Sequence, residues 1–140
     1  MQRQKPQHQR HLRHRLLGLR RKLLALHLVL IAAEQKTYEH IHGHIGSTEQ
    51  LLELMLKDPW FIWLHPVSDI LVRIDYLLND EAFDITEENI DHLFNEARLL
   101  LRPSIAGDGF ERAYYEALNR APDVLLAHFH VTRALLEEAA

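Results

Sequence analysis

Apolar residues recur along this chain at the three- and four-residue spacing of helices that share an interior. Turning about 100° per residue, Leu16, Leu23, His27, Leu30, Ile31, Glu34, Tyr38 and Ile41 fall on one face. Arg21, Lys22, Ala25 and Lys36 fall opposite. The pattern predicts one long helix from about residue 10 to His42, with Gly43 as its C-terminal cap. Residues 1–9 (MQRQKPQHQ) are polar, aperiodic and contain Pro6, the composition of a disordered basic tail.

Ser47 then stands as the N-cap of a second helix, and Gln50 three positions on suggests a capping box. Leu51, Leu52, Met55 and Leu56 form its apolar side. Asp58-Pro59 ends it and opens the next segment, which runs from Trp60 to about Leu78. Trp60, Leu64, Val67, Leu71, Ile74 and Leu78 share its face, with a kink or short break expected at Pro66. After an acidic loop over Asn79–Phe83, Thr86 caps a further helix, and Ile85 with Ile90 is spaced as a hydrophobic staple. Ile90, Leu93, Phe94, Ala97 and Leu101 face inward, and Pro103 stops the helix. Gly107-Asp108-Gly109 precedes a short helix through Asn119. Pro122 opens the last one, with Val124, His128, Val131 and Leu135 inside. The expected architecture is all-α: a single-domain irregular bundle of five to six helices over residues 10–140, with no internal repeat.

Composition narrows the function classes. The chain has 140 residues, 47% of them hydrophobic, enough to build a core. It has no cysteine, so disulfides, Cys-ligated zinc, iron–sulfur clusters and thiol catalysis are excluded. Its net charge of −4 conceals a strong asymmetry. Arg3, Lys5, Arg10, Arg13, Arg15, Arg20, Arg21 and Lys22 are half of its Lys and Arg, and no acid occurs before Glu34. Residues 23–140 carry the other eight cations against all 20 acids, a net of −12. The longest apolar run, Leu23–Ala33, has 11 residues, about half a bilayer span. Arg20-Arg21-Lys22 before LLALHLVLIAA also has the make-up of an export signal. The helical stripe runs through its cleavage point unbroken, so a cytoplasmic protein is expected and export is the minor alternative.

No phosphate-cradling GxxxxGK[ST] or GxGxxG loop, HExxH, EF-hand loop or GxSxG elbow is present, and the chain reads as non-enzymatic. The informative anomaly is polar: His27, Glu34 and Tyr38 lie on the apolar stripe of the first helix, with His42 at its edge. Asp75 flanks the inner face of the Pro66 segment, and His128 centres the face of the last helix. An unpaired buried carboxylate costs several kcal/mol, so Glu34 and Asp75 require partners, solvent or a cation. Three arrangements meet that need. One is an internal hydrogen-bond network among His27, Glu34, Tyr38, Asp75 and His128. A second is a transition-metal site drawn from His27, Glu34, His42, Asp75 and His128. The third is a polar-lined pocket for an organic ligand or haem, with His27 or His128 as axial ligand. A di-iron bundle needs two Glu-x-x-His pairs; only Glu39-x-x-His42 occurs, beside the stripe. His40 and His44 point away from it and suit the helix's C-terminal dipole.

The basic leader has the charge to meet nucleic acid or anionic lipid, or to dock on the acidic body. No aromatic residue is interleaved with it, which argues against nucleic acid. In Asp58-Pro-Trp-Phe-Ile-Trp-Leu-His-Pro66, Trp60, Trp63 and Leu64 can turn inward, while Phe61 points about 100° from Trp60 and is expected near the surface. Trp60, Phe61 and Trp63 are therefore the candidate interface for a protein partner or a second copy.

Leu24-Ala-Leu-His27, Glu34, Tyr38, His42-Gly43 and the string DPWFIWLHPVSDILVRID (58–75) resemble a family of small, uncharacterised bacterial helical proteins. The resemblance covers residues 23–80, and the last helix more loosely. It implies a bacterial, cytoplasmic protein and carries no activity, cofactor or site. Residues 1–22 lie outside it, which favours a start-site extension. The functional expectation is a non-enzymatic binding or interaction module, the alternative being a metal- or small-ligand-binding bundle.

Overall fold

A computed structural model describes residues 6–139 as seven α-helices. Helix α1 (Pro6–His42) has 37 residues and is about 55 Å long. It is followed by α2 (Thr48–Lys57), α3 (Pro59–Ile62), α4 (His65–Asn79), α5 (Glu87–Leu100), α6 (Phe110–Arg120) and α7 (Pro122–Ala139). Helices α3, α4, α5 and α7 pack on α1, α6 packs on α7, and α2 rests on α3. One apolar cluster joins Leu23, Leu26 and Leu30 of α1 to Val67 and Ile74 of α4, Ile90 and Phe94 of α5, and Val124 and Val131 of α7.

Local signals set the helix ends. Gly43 takes φ 93°, the left-handed cap that glycine adopts without strain, and its N–H bonds Glu39 O at 3.0 Å. Ser47 Oγ accepts from Gln50 N at 3.1 Å, but the Gln50 side chain reaches Gly46 N, one residue short of a capping box. The reciprocal box forms instead between Thr86 and Asn89, behind the fully buried pair Ile85 and Ile90.

Two expectations about segmentation change. The Trp60–Leu78 segment is two helices, because Pro66, in the first turn of α4, has no N–H to bond the carbonyl of Ile62 four residues back. The break falls at Trp63–Leu64, and it brings the helix count to seven. At the other end, α1 begins at Pro6, so residues 6–9 of the expected tail are helical. Residues 1–5 of that tail lie outside the described residues.

The leader is part of the core. Leu12, Leu16 and Leu19 are buried at 0, 0 and 2% exposure. Arg13 donates to the carbonyls of Leu78, Asp80 and Phe83, closing the C-terminal end of α4. Arg15 lies over the Phe94 ring at 5.8 Å. The apolar run read as an export signal is the middle of α1, with Leu23, Leu26 and Leu30 fully buried. No helix of the described residues is long and apolar enough to cross a membrane.

Candidate functional site

Glu34 is the best-placed functional candidate. It sits on the inner face of α1 at 6% exposure. Its partner comes from the far end of the chain: Arg120 Nη2 donates to Glu34 Oε1 at 2.5 Å. Arg120 is the last residue of α6, and Ala121 joins it to α7 in an extended conformation (φ −125°, ψ 111°). That corner carries the guanidinium back onto α1. Burial pushes the Glu34 carboxyl above its ordinary range, opposed by the Arg120 charge and by the indole of Trp63, then by the Arg120 hydrogen bond and Trp60. The Nε1 of Trp60 is itself buried and lacks a hydrogen bond of good geometry.

Arg120 also faces outward. Its side chain is 41% exposed and lines a groove of about 760 Å³ between α1 and the α6–α7 corner. Val29, Ala32, Ala33, Ala121 and Pro122 supply the apolar wall, and Lys36, Thr37 and His40 add polar groups along α1. The acids that reach the groove are Glu39 and Asp123. Glu39 is already engaged, accepting from Ile45 N and lying 2.8 Å from His44 Nδ1. A guanidinium has five N–H donors, and the bond to Glu34 uses one of them on a side chain that lines this space.

The other candidates fall into separate local pairs. His27 is buried at 8% exposure with Nδ1 unpartnered, and burial followed by the nearby His65 lowers its proton affinity. The Tyr114 hydroxyl and His128 Nδ1 share a hydrogen bond of 2.7 Å. Burial raises the Tyr114 phenol far above the physiological range, so it keeps its proton. Asp75 is half-exposed and pairs with Arg20, whose Nε lies at 2.5 Å. The Tyr38 and His42 rings meet at a tilt with 4.6 Å between their centres, and both meet Trp60 edge-on.

These positions revise the three arrangements. His27, Glu34, His42, Asp75 and His128 do not converge, and no group of three or more His, Asp or Glu among the described residues is placed to hold a metal ion. Of the two candidate axial ligands for haem, His128 Nδ1 is engaged with Tyr114, His27 is buried, and neither residue lines the groove beside Arg120. The single expected network is instead three pairs: Glu34 with Arg120, Asp75 with Arg20, and His128 with Tyr114.

The aromatic interface is also corrected. Phe61 is fully buried, 5.5 Å from the Tyr38 ring, and Trp60 and Trp63 are half-buried. Helix α3 is one turn held between α1 and α2, so neighbouring directions are both covered and the 100° step no longer separates inside from outside.

Arg120 and Tyr114 escaped the sequence reading. Tyr114 was within reach, since Phe110, Tyr114, Ala117 and Leu118 recur with helical spacing. Arg120 lies 86 positions from Glu34, and no local pattern connects them. No protein-family description matches this chain, and no curated protein or solved structure is detectably similar to it.

Proposed function

We propose that this chain is a non-enzymatic binding module that takes a small organic anion with an apolar portion in the groove between α1 and the α6–α7 corner. The carrying observation is a layered arrangement: Arg120 lines the groove and is fixed from behind by a buried carboxylate, Glu34. A buried ion pair adds little net stability, because desolvation offsets the attraction. Its value here is orientation, a guanidinium held ready for a carboxylate or phosphate. The groove volume is that of small-molecule sites, and its wall suits an apolar tail.

Both tryptophans of the chain favour the charged form of Glu34, so they report on the pair. Titration with benzoate should change their emission saturably, whereas benzylamine should not. Arg120→Lys should weaken the benzoate response about tenfold through loss of the planar fork. An identical response in the Arg120→Lys protein would refute this reading.

A second reading keeps the module but gives it a protein partner. It rests on α7, where Leu125, Leu126, Phe129 and Leu136 are 40, 58, 59 and 71% exposed beside the buried Val124, Val131 and Leu135. Large apolar side chains grouped on one solvent face are typical of interaction surfaces. Light scattering of the wild type against Phe129→Ser tests for self-association: a monomer in both would rule out a second copy as that partner.

A further inference from the structure

The structure sorts the cations of the leader into two sets. Arg13, Arg15 and Arg20 face the body, on the α4 end, Phe94 and Asp75 respectively. Arg10, Arg21 and Lys22 make no hydrogen bond or ion pair among the described residues, and Arg10 and Arg21 are exposed. At about 100° per residue, Arg10, His14, Leu17, Arg21 and Leu28 fall within about 60° of one another on the outer side of α1. Leu17 is 50% exposed and Leu28 56%. The strip is about 27 Å long. Between its larger side chains lie Gly18, whose position has open space around it, and the exposed Ala25. Nothing bulky keeps a flat partner away from the helix.

We propose that this strip is a docking surface for an anionic lipid bilayer. Two properties select that occupant. The strip is positive where the remainder is negative: α1 holds no acid before Glu34, while residues 23–140 carry a net charge of −12. An anionic plane would thus attract this side and repel the others, which fixes one orientation. The strip also interleaves leucines with its cations, and only a surface with hydrocarbon beneath its charges uses both. A nucleic-acid backbone would engage the cations and leave Leu17 and Leu28 in water, and the strip offers no aromatic ring for bases. Each cation held near an anionic membrane improves partitioning roughly fivefold, so Arg10 and Arg21 together favour the charged surface by roughly 25-fold. Such binding is reversible and sensitive to salt.

Co-sedimentation of the full chain with vesicles of phosphatidylglycerol mixed with phosphatidylcholine, and with phosphatidylcholine alone, tests this. The protein should pellet with the anionic vesicles, remain in solution with the neutral ones, and be released by high salt. The double variant Arg10→Glu, Arg21→Glu should lose at least roughly 25-fold in partitioning, two cations' worth. The same charge change off the strip, Lys57→Glu with Arg102→Glu, should lose much less. Leu28→Asn should reduce vesicle binding severalfold at unchanged charge, which separates a bilayer from a polyanion such as duplex DNA. All substituted side chains are exposed, and thermal melting confirms that each variant folds. Failure to pellet with anionic vesicles, equal binding to neutral ones, or indifference to Leu28→Asn would each overturn the proposal.

Discussion

The side chain of Gln9 and the backbone of Ile85 exchange two hydrogen bonds, Gln9 Nε2 to Ile85 O at 2.7 Å and Ile85 N to Gln9 Oε1 at 3.0 Å. The amide acts as one rung of a β-ladder and joins the first turns of α1 to the entry of α5. Gln9→Ala leaves both polar groups of the buried Ile85 without this partner, at a cost of about 1–3 kcal/mol. Urea unfolding measures it, and Gln9→Glu should recover little, since a carboxylate accepts from Ile85 N but cannot donate to Ile85 O.

Truncation gives the clearest test of the leader. Removing residues 1–22 deletes Leu12, Leu16 and Leu19 from the core together with the Arg13 cap on α4. The shortened chain should lack a cooperative thermal transition in circular dichroism. On a finer scale, Leu16→Ala should cost about 2–5 kcal/mol, and its exposed neighbour Leu17→Ala under about 0.5 kcal/mol.

For the Glu34–Arg120 pair, the informative change is Arg120→Met, which strands a buried carboxylate. We expect a loss of about 3 kcal/mol in alkaline buffer. Glu34 already binds its proton more tightly when folded than the ordinary value of 4.5. A group of this kind stabilises the fold below its unfolded value and loses that contribution as pH rises through the folded one. The penalty of Arg120→Met should therefore shrink in mildly acid buffer. Denaturant midpoints that show the same penalty at both pH values would contradict this account.

Histidine titration acts with the opposite sign. His27 and His128 bind protons more weakly in the fold than their ordinary value of 6.5, chiefly through burial. The unfolded chain then holds more protons, so stability is fully present above 6.5 and declines as pH falls from there toward the folded values. Melting temperature should drop over that window. His27→Met, of similar volume and without a titrating group, should flatten the drop without removing the part due to His128.

Tyr114→Phe isolates the other buried pair. Deleting the phenol oxygen leaves His128 Nδ1 without its partner, at about 1–2 kcal/mol in thermal or chemical unfolding. The ring contacts of Tyr114 with Phe110, at 5.4 Å, should persist. The lowered proton affinity of His128 comes from burial, so it should persist in this variant, as followed by its NMR ring resonances.

Helix boundaries were legible because their causes are local. Asp58 accepts from Trp60 N ahead of Pro59, Thr86 closes a capping box, Gly43 bends the chain out of α1, and Pro122 opens α7. Each is decided within four residues. Periodicity also placed His27 and Glu34 in the interior. It failed at α3, where one helical turn is covered on more than one side, and so misplaced Phe61. It also failed to give Glu34 its partner, because the Arg120 corner is brought to α1 by tertiary packing. Composition alone does not say which of residues 12–30 are interior, and that Leu12, Leu16 and Leu19 join the core is seen only in what they touch.

The central position of α1 has a mechanical consequence. With α3, α4, α5 and α7 all seated on it, neither side of the Gly43–Gly46 connection, exposed apart from Ile45, retains a complete interior of its own. Cut at that loop, the chain would become two pieces that each need the other, a split pair whose reassembly serves as its own folding reporter.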